Sequence, residues 1–167
     1  MDAMTEDGSR TSDGRYLVIN GRRWRATDPG IPEKLRAELV AELMAARRAV
    51  NSDPGHARAR VQDAKLALGE RGEPWWEPAS CEGGRVRLAA TMRALLRHRR
   101  PEATICPSDA ARVVGGTDWR GCVPQAQAVA AKLHDQQVLL VCQRGKPVDP
   151  AIVKGPIRLA RGPAFPD

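Results

Sequence analysis

Gln125, Ala128 and Lys132 share one face of a helix that the sequence predicts from about Pro124 to Gln136. Glutamine can pair bidentately with adenine, alanine permits close approach, and lysine reaches phosphate or guanine, so the set could read a nucleic-acid groove. Arg120, Arg144, Lys146, Lys154 and Arg158 surround it in sequence and could meet a phosphate backbone, where affinity comes largely from cations and falls with salt. The same pattern also describes an ordinary polar helix face, and Asp135 near its end counts against DNA. Trp75-Trp76 offers a second kind of chemistry. The pair could form an exposed patch for a protein partner, or fold back to cap a core too small to close itself; packing is the commoner use of large aromatics.

Other chemistries find little support. Cys81, Cys106, Cys122 and Cys142 form no CxxC pair, and no two of His56, His98 and His134 stand four residues apart, so no metal site is expected. Free thiols suit the cysteines better than a disulfide framework. The chain has no P-loop, no GxGxxG after a strand, no GxSxG and no HExxH. Asp109, Asp118 and Asp149 sit where caps and turns need them. The expectation is therefore a protein that is not an enzyme and needs no cofactor.

Charge divides the chain. Residues 1–78 hold 13 Lys+Arg against 13 Asp+Glu, whereas residues 79–167 hold 14 against 7. The whole net charge of +7 belongs to the second half, which points to a polyanionic partner for that half. No apolar run is long enough to span a membrane and the first residues are acidic and polar, so a cytoplasmic protein with no membrane contact is expected.

The elements that must position these residues follow from periodicity. Residues 1–14 are polar and aperiodic and are read as a flexible tail. Tyr16 to Ile19 and Arg22 to Thr27 flank Asn20-Gly21, a hairpin signal because both turn positions need positive φ. Leu35, Leu39, Leu43, Ala46 and Val50 stripe a helix that starts near Pro32, and Ala57, Val61, Ala64 and Leu68 stripe a second from about His56. This makes a ββαα unit over 15–77, a hairpin of strands plus a hairpin of helices, with a linker at 78–84. From Arg85 a helix buries Leu88, Met92, Leu95 and Leu96 and sets Arg93, Arg97 and Arg100 on an outer face with no acid among them. A short capped helix runs from Pro107 to Gly115-Gly116, and a turn at 118–122 precedes the helix at Pro124, because proline inside a helix removes a hydrogen bond. Two strands, Val138 to Gln143 and Pro156 to Ala160, are joined by a basic loop whose Pro and Gly keep it out of the ladder. Residues 162–167 are a tail.

That order, helix, helix, helix and two strands with a basic loop, is the order of a winged helix-turn-helix over 85–161, giving an α+β chain with the ββαα unit first. Thr104-Ile105-Cys106-Pro107-Ser108, Trp119-Arg120, Gly145, Pro147-Val148-Asp149-Pro150 and Gly155-Pro156-Ile157-Arg158 resemble an uncharacterised family of small bacterial winged-helix domains of unknown function. The resemblance implies the fold and carries over no catalytic residue. It departs from the family's pattern at Gly121-Cys122, where a Pro-Leu-type pair is usual. Asp13-Gly14-Arg15-Tyr16, Arg22-Arg23-Trp24-Arg25 and residues 69–76 resemble a segment of actinobacterial proteins that sometimes carry a biopolymer-transport label. Taken together, the expectation is duplex DNA binding of a regulatory kind, with a homodimer or protein partner held through the first unit. A protein-interaction adaptor using Trp75-Trp76 is the alternative.

Overall fold

The Asn20-Gly21 turn is formed by two residues at positive φ, 50° and 75°. It joins β2 (Tyr16–Ile19) to β3 (Arg22–Arg25), with Tyr16 opposite Arg25 and Ile19 opposite Arg22. The computed structural model describes residues 8–167, so residues 1–7 of the expected tail lie outside it. Within residues 8–14 the tail reading is corrected: β1 (Ser9–Arg10) pairs antiparallel with Leu17 and Val18. Polar side chains make this turn. Thr11 Oγ1 accepts from the Tyr16 N–H at 3.1 Å and Asp13 Oδ1 from the Arg15 N–H at 3.1 Å. Such local bonds satisfy the backbone without any apolar pattern, so hydropathy could not reveal them.

Helices α1 (Glu33–Ala49) and α2 (Pro54–Ala67) follow the expected stripes and bury Leu35, Leu39, Leu43, Ala46, Ala57 and Ala64. Both pack on α3 (Cys81–His98), which begins inside the stretch read as a linker. Ser80 is its N-cap, with Oγ accepting from the Gly83 N–H at 3.0 Å, and Glu82 complements the first turn. Gly84 is buried where a Cβ would stand 3.1 Å from the Gln125 amide, so a glycine there permits close helix approach. One core then runs through both halves, from Leu39, Leu43 and Leu68 to Leu88, Met92, Leu95, Ile105, Val113, Leu139 and Leu159.

Two of the arginines expected on a free outer face of α3 are paired. Arg93 and Arg97 both donate to Asp63 of α2, at 2.8 and 2.5 Å, and only 4% of the Arg97 side chain is exposed. The acid that the helix itself lacks is supplied by its neighbour.

Helix α4 (Pro107–Gly115) starts in a capping box, with the Cys106 N–H donating to Asp109 Oδ2 at 2.9 Å. A single 3₁₀ turn, Gly116–Asp118, leads into α5 (Trp119–Asp135). The expected break before Pro124 is absent. Pro124 and Arg120 are both exposed, so the Arg120 carbonyl that loses its helical partner can be hydrated, and the helix continues past it.

The second sheet has the order β5-β4-β6, from β4 (Leu139–Gln143), β5 (Lys146–Pro147) and β6 (Arg158–Arg161), all antiparallel. Lys146 and Pro147 thus enter the ladder that the sequence reading denied them. Pro147 is tolerated because β5 is an edge strand, where a missing N–H leaves no gap in the sheet. Ile105 adds a bridge to Leu159 on the far side of β6 and ties the start of α4 to the sheet. The architecture is mixed α+β, with five α-helices and two small antiparallel sheets among the described residues. No helix among these residues is long and apolar enough to cross a membrane.

Candidate nucleic-acid interface

Arg144-Gly145, at φ 52° and 78°, turns β4 into β5 and leaves Arg144 and Lys146 exposed at the tip. The chain then returns through a loop fixed from two sides. The Ala151 N–H donates to Asp149 Oδ1 at 2.9 Å, and the Gln143 amide donates to the carbonyls of Lys154 and Pro156 at 2.7 and 3.1 Å. Gln143 therefore holds the outgoing and returning arms together. As a result Arg144, Lys154 and Arg158 line one shallow depression with Gly155 and Pro156. Arg158 spends two donors on Thr104, at 3.0 Å to Oγ1 and 3.0 Å to the carbonyl, which fixes its stem. Among the described residues none of Arg144, Lys146, Lys154 and Arg158 has a carboxylate partner.

Helix α5 presents a different face from the one read in the sequence. Gln125 is turned toward α3, its amide donating to the Cys81 carbonyl at 3.1 Å, so it is not available to a base edge. Ala128 and Lys132 are exposed but border the cleft between α5 and α3, beside Arg85, Val86, Ala89 and Arg93. Val129, only 6% exposed, belongs to the buried arc and rotates it, which swings Gln125 inward and Gln127 outward. The exposed side chains of α5 are Arg120, Pro124, Gln127, Ala128 and Lys132, with Asp135 at the far end. Gln127 is the residue missed. Its signal lay in Val129, an apolar residue two positions further on that belongs to the buried arc.

Arg120 does lie at this surface, held by an aromatic ring. Its guanidinium sits 4.6 Å from the centroid of Trp119, and Arg112 of α4 sits 4.5 Å from the same ring. Trp119 thereby brings two exposed cations together at the start of α5. Arg112 was not foreseen, because α4 was read only for its cap and its glycine stop.

The tryptophan pair folds back. Trp75 donates from Nε1 to the Ala26 carbonyl at 3.0 Å, Trp76 packs edge-on to it at 5.3 Å, and Tyr16 meets Trp76 at 5.5 Å. Both indoles are half-buried under the first sheet. His134 is also structural, since its Nδ1 accepts the Val141 N–H at 3.0 Å and joins α5 to β4. All four cysteines are free thiols, and burial pushes Cys142 above its ordinary range. Among the described residues no group of three His, Cys, Asp or Glu is arranged to hold a metal ion.

No curated protein matches the chain. A match does exist for the stretch that begins at the fifth residue of α3, runs through α4, α5 and the second sheet, and ends one residue after β6. Residues 85–162 match the model of the family described as "Protein of unknown function (DUF3253)", and the first 84 residues lie outside the match.

Proposed function

We propose that this chain binds nucleic acid, duplex DNA above all, with α3, α4, α5 and the second sheet acting as a winged helix in a regulatory protein. The observation that carries the reading is the gathering of Arg144, Lys154 and Arg158 around one depression, with Lys146 beside them at the tip and, among the described residues, no carboxylate paired with any of them. Like charges held together repel one another, and a phosphate backbone removes that repulsion while releasing counterions. The exposed face of α5 suits a groove for a separate reason. Pro124, Gln127 and Ala128 are small or uncharged and are flanked by Arg120 and Lys132, so the helix could approach bases between two phosphate contacts.

An adaptor role through Trp75-Trp76 has less behind it. The Trp75 N–H is bonded within the chain and both rings are packed, so the pair offers a partner little free surface.

The test is anisotropy titration of the full chain against labelled duplex DNA at salt from ~50 to ~200 mM, where log affinity should fall with a slope of about −0.9 per phosphate contacted. The triple change Arg144→Ala, Lys146→Ala and Lys154→Ala should weaken binding and flatten that slope by roughly two to three units. Binding that ignores both salt and the triple change would remove the support for this reading.

A further inference from the structure

The first sheet contributes nothing to the core. No residue of β1, β2 or β3 is buried, and the continuous core begins only at Ile31. The sheet's packing is confined to the half-buried Trp75-Trp76 pair beneath it, which leaves its exposed side chains needing another account. Arg22, Arg23 and Trp24 of β3 are all exposed, which means that both faces of the strand meet solvent, and Trp24 leaves 40% of its surface open.

The charge balance of the chain's first half conceals what this ribbon carries. Residues 8–27 contain Arg10, Arg15, Arg22, Arg23 and Arg25 against one acid, Asp13. That acid is already committed. The Thr11 hydroxyl, the Arg15 N–H and then the charges of Arg15 and Arg23 hold its carboxyl below the ordinary range. Among the described residues Arg15, Arg22 and Arg23 have no ion-pair partner.

The arginines rest on rings instead. Arg22 lies 4.3 Å from the Trp24 centroid and Arg23 4.2 Å from Tyr16, while Arg15 and Arg25 approach Trp76 at 5.1 and 5.6 Å. Lys65 of α2 reaches Trp24 from 5.6 Å. A guanidinium over a ring uses its face, and its in-plane N–H donors stay free for phosphate oxygens. Holding the side chain on the ring also lowers the entropy lost when it binds.

We infer that the β2–β3 ribbon is a binding surface for single-stranded nucleic acid, with Arg22 and Arg23 on the phosphates and an unpaired base displacing Lys65, the more distant of the two cations at the Trp24 ring, to stack there. An unpaired strand is favoured over a duplex because only unpaired bases expose their faces to a ring, whereas a duplex keeps them stacked inside. The inference does not depend on the wing, which lies on the other sheet.

The experiment uses the full chain with labelled oligo-dT, a labelled DNA hairpin duplex, and vesicles with and without phosphatidylserine. Trp24→Ala should weaken oligo-dT binding roughly tenfold or more, and Trp24→Phe should restore most of it. Arg22→Ala with Arg23→Ala, at exposed positions outside the core, should lower oligo-dT affinity and its salt slope by about one to two units. Duplex binding should change less than twofold in these variants, and the wing variants should leave oligo-dT binding intact. The inference is overturned if oligo-dT binding is absent at low salt, if the ribbon variants do not weaken it, if they weaken duplex binding equally, or if the ribbon is needed only for phosphatidylserine vesicles.

Discussion

Arg87 of α3 donates from Nη2 to Asp28 Oδ2 at 2.9 Å, and this contact joins the two halves of the chain. The same guanidinium reaches the Ala67 carbonyl at the end of α2 from Nε and Nη2, and the Val113 carbonyl of α4 at 3.4 Å. Asp28 in turn accepts the Gly30 N–H at 2.8 Å. Arg87 is therefore the meeting point of three helices and the segment that leaves the first sheet. Removing one partner of a mostly buried pair leaves the other uncompensated, so Arg87→Met should cost about 3–5 kcal/mol. Asp28→Asn keeps an acceptor and should cost less, roughly 1–2 kcal/mol. Urea unfolding should report both, in one transition, because the halves share a core.

A second buried pair tests how such contacts contribute. Glu42 is 2% exposed and takes a two-point contact from Arg60, at 2.8 and 3.0 Å, across α1 and α2. Arg60→Ala strands the carboxylate and should destabilise by about 3–5 kcal/mol. Replacing both residues, Glu42→Leu with Arg60→Met, should be close to neutral or even stabilising, since neither charge is then desolvated. Thermal midpoints of the two single variants and the double variant close the cycle; additive losses would refute the account.

Glu73 supplies a pH test with a definite sign. Its carboxylate takes the Ser80 hydroxyl and, at 2.8 Å, the Ser80 N–H, just before α3 begins. These bonds, the hydroxyl first, hold its carboxyl below the ordinary range. A depressed folded value contributes stability that is present above the unfolded carboxyl range and is lost as pH falls through the folded value. Glu73→Gln should therefore lower the thermal midpoint at neutral pH, and the gap from wild type should narrow progressively below about pH 4. A gap that stays constant down to pH 2 would mean that the carboxylate contributes nothing as a charge.

The thiols should separate by environment. Cys81 is exposed at the first turn of α3, whereas Cys142 is 7% exposed on β4 and burial raises its thiol above the ordinary range. The thiolate is the reactive form, so a disulfide reagent at neutral pH should modify Cys81 first and Cys142 only as the protein unfolds. Mass spectrometry of partly labelled protein, with Cys81→Ser as control, reads the order directly.

What was legible in the sequence followed from period and turn chemistry. The leucine stripes of α1 and α3 and the Asn20-Gly21 turn were readable because each is fixed by residues close in sequence. The partners of Arg93 and Arg97 were not, because Asp63 lies some thirty residues earlier and belongs to another helix. The orientation of Gln125 failed for a related reason: a glycine at position 84, on a different element, decides how close α3 comes to α5 and which side of α5 it covers. Period gives a helix its apolar arc, but the packing partner decides which flank of the polar arc stays open.

Pro124 tests one place where a local rule failed. It stands six residues into α5, and its ring removes the bond that the Arg120 carbonyl would otherwise accept. In a helix interior proline is less favourable than alanine by about 3 kcal/mol. Here the freed carbonyl belongs to an exposed residue and can be hydrated, and the unfolded chain is stiffer with proline, so part of that cost is offset. Pro124→Ala should accordingly stabilise the protein by roughly 1–2 kcal/mol, which for a chain of this size raises the thermal midpoint by about 2–8 °C. The same change should leave the Trp119 ring and its two arginines in place, because they precede the proline and are anchored from α4. A lower midpoint, or a Trp119 environment altered in near-ultraviolet circular dichroism, would mean that the proline ring itself positions the start of α5, and duplex affinity would then be expected to fall with it.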